Sequence, residues 1–185
     1  VHSDIAQDMV DDLTEAIKTL VVGDPLDEGT DVSALISHAE RDRVLAWVRE
    51  AEADGARVTT GGELSADGVL RPTLVVEARP DMKICSQEVF GPVVAVTTYE
   101  DFDEALRLAN DTQYGLQAGV FTRNLGTALK AAHNLDFGGV LINEVPTWRT
   151  EQQPYGGLRD SGNTREGPAW AVREMTEERL VVLSP

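Results

Sequence analysis

The sequence predicts an α/β protein: a parallel βαβ sheet with flanking helices. Three observations predict it. From Val93 onward, short apolar segments alternate with helical ones. Val93–Tyr99, Ala118–Thr122 and Gly139–Asn143 read as strands, with Phe102–Asn110 and Leu125–His133 as helices between them. Strands and helices of that length alternate in right-handed crossovers, which build parallel sheets. Second, Val140-Leu141-Ile142 is apolar without alternation, as a strand covered on both faces should be. Third, 185 residues is one domain's length on a prior of roughly 100–200. Such a chain buries about 70 % of its unfolded surface and needs no disulfide or metal to hold a core.

The elements follow in order. Ile5, Met9, Val10, Leu13, Ala16, Ile17 and Leu20 recur at helical spacing with acids between them. Val22-Gly23-Asp24-Pro25 ends that helix. Ser37 and Glu40 have the spacing of a capping box, and Val44, Leu45, Val48 and Ala51 give the second helix its apolar face. Gly55 sits where a C-terminal cap belongs. Arg57–Thr60 and Pro72–Val76 read as short strands, with Gly61-Gly62 following the first. Asp101 with Glu104, and Asn124 before Leu125, supply N-caps to the later helices. From Glu144 to Thr164 the chain is Pro/Gly-rich and polar with scattered aromatics. A loop of that length inside a domain is usually functional. Pro168 suits the first turn of a last helix, Ala169–Glu174, and Arg179–Leu183 reads as a closing strand.

The charge excludes several functions. Sixteen Lys and Arg face 32 Asp and Glu, a formal net charge of −16. Nucleic acid and anionic lipid would be repelled, so neither is an expected partner. No apolar run approaches the ~20 residues that cross a bilayer, and nothing reads as a signal peptide. Cys85 is the single cysteine and has no disulfide partner within the chain, which fits a reducing cytoplasm. The first residue is Val1, so the expectation is a start inside a longer protein or after a removed tag.

A search for self-contained catalytic sets finds none. There is no Gly-rich phosphate loop. His2, His38 and His133 lie far apart, without metal-ligand spacing, so no metal is expected. Cys85 has only Lys83 nearby to lower its pKa, and it reads as an inert thiol among short-strand residues. The distinctive segment is Gln87-Glu88-Val89-Phe90-Gly91-Pro92-Val93. It places an acid and an aromatic just before a Gly-Pro turn that feeds a buried strand, at a sheet edge of the kind where ligands bind.

That segment closely resembles the Glu-x-Phe-Gly-Pro-Val motif of the aldehyde dehydrogenase superfamily. Val22-Gly23-Asp24-Pro25, Gly55-Ala56 with Gly61-Gly62, and Arg71-Pro72-Thr73 precede it in family order. Asn110-Asp111-Thr112-Gln113-Tyr114-Gly115-Leu116, Pro154-Tyr155-Gly156-Gly157, Asp160-Ser161-Gly162 and Arg165-Glu166-Gly167 follow. Two departures stand out: Thr164 where the family usually has Gly, which implies an altered turn, and Ser33-Ala34 where a Gly-Pro pair is common.

The resemblance covers the C-terminal part of the catalytic domain only. It implies that residues 1–175 are a partial catalytic domain and 176–185 the C-terminal strand of the oligomerisation region. It implies a parent enzyme that oxidises an aldehyde to a carboxylic acid through a cysteine thiohemiacetal, with hydride passing to NAD or NADP. The nucleophile and the cofactor domain lie upstream in such an enzyme, so Cys85 is not the nucleophile and the chain alone is expected to be inactive. Glu88 matches the glutamate that hydrogen-bonds the nicotinamide ribose, and Phe90 the aromatic beside the nicotinamide ring. Tyr155 matches an aromatic of the aldehyde tunnel, and Trp148 and Arg149 fall in the stretch at its mouth. Arg149 suits a substrate carboxylate or phosphate; the plainer reading pairs it with Glu151 at the rim. A homo-oligomer through residues 179–183 is expected. The alternative is a non-catalytic α/β module that works by association, using the same exposed final strand.

Overall fold

A computed structural model describes all of residues 1–185. The chain folds as two compact units, Val1–Glu104 and Ala105–Pro185.

The first unit is built around a three-stranded sheet in the order β1 (Arg57–Thr60), β2 (Thr73–Val76), β3 (Val93–Val96). β2 is buried along its whole length, and its side chains alternate between two faces, as pleating requires. Leu74 and Val76 join Val10 and Val96, with Val1, Leu13 and Ile17 packed against them. That is the face taken by helix α1 (Ser3–Lys18). Val75 points the other way, into a cluster with Val48, Ala51, Ala56, Ala78, Met82 and Ile84. Val48 and Ala51 belong to helix α2 (His38–Ala53), and Ile84 to the short helix α3 (Lys83–Ser86).

Both long helices start as capped elements. Ser37 Oγ accepts the Glu40 N–H at 3.2 Å, the expected cap of α2. His2 Nδ1 accepts the Asp4 N–H at 3.2 Å and caps α1, a role that the sequence pattern does not announce. α1 stops at Lys18 with Thr19 as C-cap, ahead of the Gly-Pro segment.

β2 and β3 are parallel, as predicted, but β1 runs antiparallel to β2. The Gly61–Pro72 connection contains no helix. A parallel return needs a crossover of a dozen or more residues, usually helical, so the direct connection reverses the strand.

The second unit contains β4 (Gln117–Val120) and β5 (Gly139–Ile142), paired in parallel register around helix α5 (Leu125–Asn134). Helix α4 (Phe102–Asn110) precedes them, and α6 (Pro168–Glu174) follows with Pro168 in its first turn. Asn124 caps α5 by accepting the Thr127 N–H at 3.0 Å. β5 is only half-buried along its length. The strand covered on both faces is therefore β2, not the predicted Val140–Ile142 run.

Within this chain Arg179–Leu183 pairs with no strand: residues 176–185 have no regular structure, and Leu180 and Leu183 are each 89 % exposed. A strand exists only through hydrogen bonds to a neighbouring strand, and this segment has none beside it. Thr164 does not adopt the left-handed backbone; positive φ in that turn falls on Arg159 (55°), Gly162 (125°) and Gly167 (116°). The turn tolerates a β-branched residue because glycines and Arg159 take the unfavourable angles.

Candidate functional site

The Glu88–Gly91 turn is pinned from below and open above. Arg43 Nη2, on α2, donates to the Val89 carbonyl at 2.9 Å, and its guanidinium lies 4.4 Å from the Trp47 ring centroid. The Val89 side chain packs against the cluster of Val44, Leu45 and Leu70. A Cβ on Gly91 would sit 3.0 Å from Val44 Cγ1, so a glycine lets the backbone approach the helix. With Val89 turned inward, its neighbours face out: Glu88 is exposed, and the Phe90 ring is 74 % exposed. Phe90 has φ 48°, a left-handed angle costly to a bulky residue. Strain of this kind clusters at binding sites.

An exposed carboxylate next to an exposed aromatic ring, on a turn anchored by an arginine, fits a group with hydroxyls and a flat ring. The carboxylate accepts two hydroxyl donors, and the ring offers an apolar face. The same residues fit the nicotinamide end of a dinucleotide.

In the second unit, the Glu144–Thr164 loop holds the other predicted residues. Arg149 lies with its guanidinium 4.3 Å from the Tyr155 ring centroid. Its Nη2 pairs with Glu166 at 3.2 Å, so the partner is Glu166 rather than the expected Glu151. Tyr155 and Glu166 are themselves joined by an antiparallel bridge, with Tyr155 N donating to Glu166 O at 3.2 Å and Glu166 N to Tyr155 O at 2.6 Å. Pairing across that bridge brings Glu166, distant in sequence, beside Arg149. Arg149, Tyr155 and Glu166 thus form one cluster. Trp148 lines an open groove of about 570 Å³ with Gln117, Val140, Ile142, Asn143 and Glu144. The groove lies along β5 and the chain that leaves its C-terminal end, where parallel sheets place ligands. Gln117 Nε2 donates to the Trp148 carbonyl at 3.4 Å.

Sequence reasoning missed Glu166 and Gln117. Glu166 was visible only inside the Arg165-Glu166-Gly167 motif, and a strand residue such as Gln117 carries no local signal. Cys85 occupies α3 rather than a strand. Burial pushes its thiol up, and the nearby Asp81 carboxylate adds to the rise. Lys83 does not oppose this, being paired with Glu50 at 2.7 Å. A thiol held in its protonated form is a poor nucleophile.

The comparisons with known proteins agree on a family. The family model described as aldehyde dehydrogenase family matches residues 1–181. The 3-sulfolactaldehyde dehydrogenase of Priestia aryabhattai is 45 % identical over 184 residues, which is 100 % of this chain and 38 % of that protein. Among solved structures, aldehyde dehydrogenase 21 from Physcomitrella patens, in complex with the reaction product succinate, superposes with a TM-score of 0.91. It is 37 % identical and covers 96 % of this chain and 37 % of its own. Betaine aldehyde dehydrogenase from Staphylococcus aureus, in complex with NAD+, superposes with a TM-score of 0.87 at 33 % identity, covering 94 % of this chain and 36 % of its own. The chain thus spans less than two-fifths of these relatives' length. Over that span its sequence, its parallel strand pairs and its ordered motifs make it a member of the aldehyde dehydrogenase family.

Proposed function

We propose that this chain is the C-terminal part of the catalytic domain of an NAD(P)-dependent aldehyde dehydrogenase, acting within a longer polypeptide. In that enzyme a cysteine thiolate outside these residues adds to the aldehyde carbon. A bound dinucleotide would supply the hydride acceptor, and water would then release the acid. Glu88 accepts the ribose hydroxyls and Phe90 walls the nicotinamide. The observation that carries this reading is the turn itself, which packs Val89 against α2 and leaves Glu88 and Phe90 exposed, with Phe90 at a strained angle.

Glu88→Gln in the full-length enzyme tests it. The expected result is a several-fold rise in KM for the dinucleotide with the aldehyde KM unchanged, since one charge-assisted bond weakens by about 1–2 kcal/mol. An unchanged dinucleotide KM would refute the role. The 185-residue chain alone is expected to show no aldehyde oxidation; turnover by the purified chain, free of full-length enzyme, overturns that.

The substrate is an aldehyde with an anionic far end, held by Arg149. Two relatives support this: one is named for 3-sulfolactaldehyde, which carries a sulfonate, and one is bound to succinate, a dicarboxylate. The bond to Glu166 engages Nη2, and a guanidinium has five N–H donors, which leaves capacity for a second anion. Stacking on Tyr155 orients the fork. The enzyme works in the cytoplasm as a homo-oligomer, and residues 179–183 pair as an edge strand with a partner subunit.

A further inference from the structure

We propose that Arg159 is a positioning residue for substrate recognition, clamping the loop that carries Arg149 and Tyr155 onto the turns that enter β4 and β5. The inference rests on the reading of Arg149 as the ligand of the substrate anion.

Arg159 gathers backbone carbonyls from two separate connections. Its Nη1 donates to the carbonyls of Asn110 at 3.2 Å, Thr112 at 2.8 Å and Tyr114 at 2.9 Å. Its Nη2 donates to the Asp136 carbonyl at 3.3 Å, with the Asp136 carboxylate 3.8 Å away. Asn110 ends α4, and Asp136 follows the C-cap of α5. Helix C-termini expose unpaired carbonyls and a partial negative charge, which a cation satisfies. One planar fork serves both ends at once, a geometry that an ammonium point charge cannot copy.

The backbone around Arg159 repeats the same attachment. Leu158 N donates to the Gly115 carbonyl at 2.9 Å and Asp160 N to the Gln113 carbonyl at 3.0 Å. Gly115 N donates to Ser161 Oγ at 3.0 Å. Arg159 itself sits at φ 55°, outside the preferred range for a side chain of its size, so the bonds hold it there. From this clamp the geometry runs to the recognition cluster in two contacts. Arg165 Nη1 donates to the Gly157 carbonyl at 2.8 Å, and its neighbour Glu166 bridges Tyr155 and pairs with Arg149. Gly138, two residues after Asp136, meets the loop too: a Cβ there would collide with the Gly156 carbonyl.

The test is a double-mutant cycle in the full-length enzyme, read as the ratio of kcat/KM for succinic semialdehyde to that for butanal. Arg149→Ala is expected to lower the ratio about tenfold or more, the usual loss for a charged contact. Arg159→Ala is expected to lower it about three- to tenfold through the KM of the anionic substrate, with the dinucleotide KM unchanged. That loss should vanish in the Arg149→Ala background, because coupled residues are not additive. Arg159→Lys, which keeps the charge and loses the fork, should fall between, and it carries the test if the alanine variant does not fold. A ratio unchanged in the Arg159 variants, or a loss of equal size with and without Arg149, overturns the positioning role and leaves the Arg149 reading standing. A ratio unchanged by Arg149→Ala alone removes that reading, and the inference with it.

Discussion

Residues 1–104 and residues 105–185 are held together by different forces. In the first unit three apolar clusters pack on the two faces of a sheet whose middle strand is fully buried. In the second, the buried hydrophobic residues are Leu106, Ala131 and Leu135. Polar side chains take up the work of fixing the backbone there. Arg159 and Arg165 gather carbonyls, Asn110 joins the ends of α4 and α5 through Asn134 and Asp136, and Asn143 Oδ1 accepts the Thr122 N–H at 2.8 Å. Burial is non-directional and scales with area, whereas hydrogen bonds demand angles and distances. The Glu88–Gly91 turn combines them, since apolar packing of Val89 and one arginine bond aim the exposed pair.

The contrast predicts that the two units fail differently when substituted. The largest effect belongs to the apolar core. Leu74 is fully buried, and Leu74→Ala should cost about 2–5 kcal/mol in urea unfolding, through lost transfer energy and a cavity. A cost below about 1 kcal/mol would contradict the close packing of β2. Next comes the polar staple. Ser161→Ala strands the Gly115 N–H and should cost about 1–3 kcal/mol, whereas a comparable truncation of the exposed Leu125 should leave stability within about 0.5 kcal/mol. Equal costs for the two would remove the distinction.

Smaller still is the cap of α2. Ser37→Ala should lower stability by about 1 kcal/mol, with Ser37→Gly losing only a few tenths. The smallest effect is chemical. Burial and Asp81 both raise the Cys85 thiol pKa, so its alkylation by iodoacetamide at pH 8 should be slower than that of a free thiol. Asp81→Asn removes a negative charge, lowers the thiol pKa and increases the thiolate fraction, so alkylation should speed up. A rate unaffected by that change would leave desolvation as the whole cause.

How much was readable in advance depended on the range of the interactions. The Ser37 cap, the Asn124 cap, the apolar stripe Val44–Ala51 and the Pro168 helix start are local events, and each reads straight from neighbouring residues. The Glu88–Phe90 pair also reads from a short motif. The direction of β1 did not, although the helix-free Gly61–Pro72 connection carried the clue. Arg149 was paired in the sequence with the nearest acid, Glu151, yet it meets Glu166 because the Tyr155 bridge folds the loop back on itself. Arg159 falls between two motifs and carries no local signal, since its partners are carbonyls, which every residue carries.

The amino-acid sequence alone determined the family, the alternation of strands and helices, and which turn presents an acid and an aromatic. Those features rest on spacing, capping and backbone preference within a few residues. Only the tertiary structure decided that Val89 faces inward while Phe90 takes a left-handed angle, that Glu166 partners Arg149, and that Arg159 closes the loop. Those outcomes depend on which distant backbone arrives beside a side chain, a quantity that chain closure sets and no local pattern encodes.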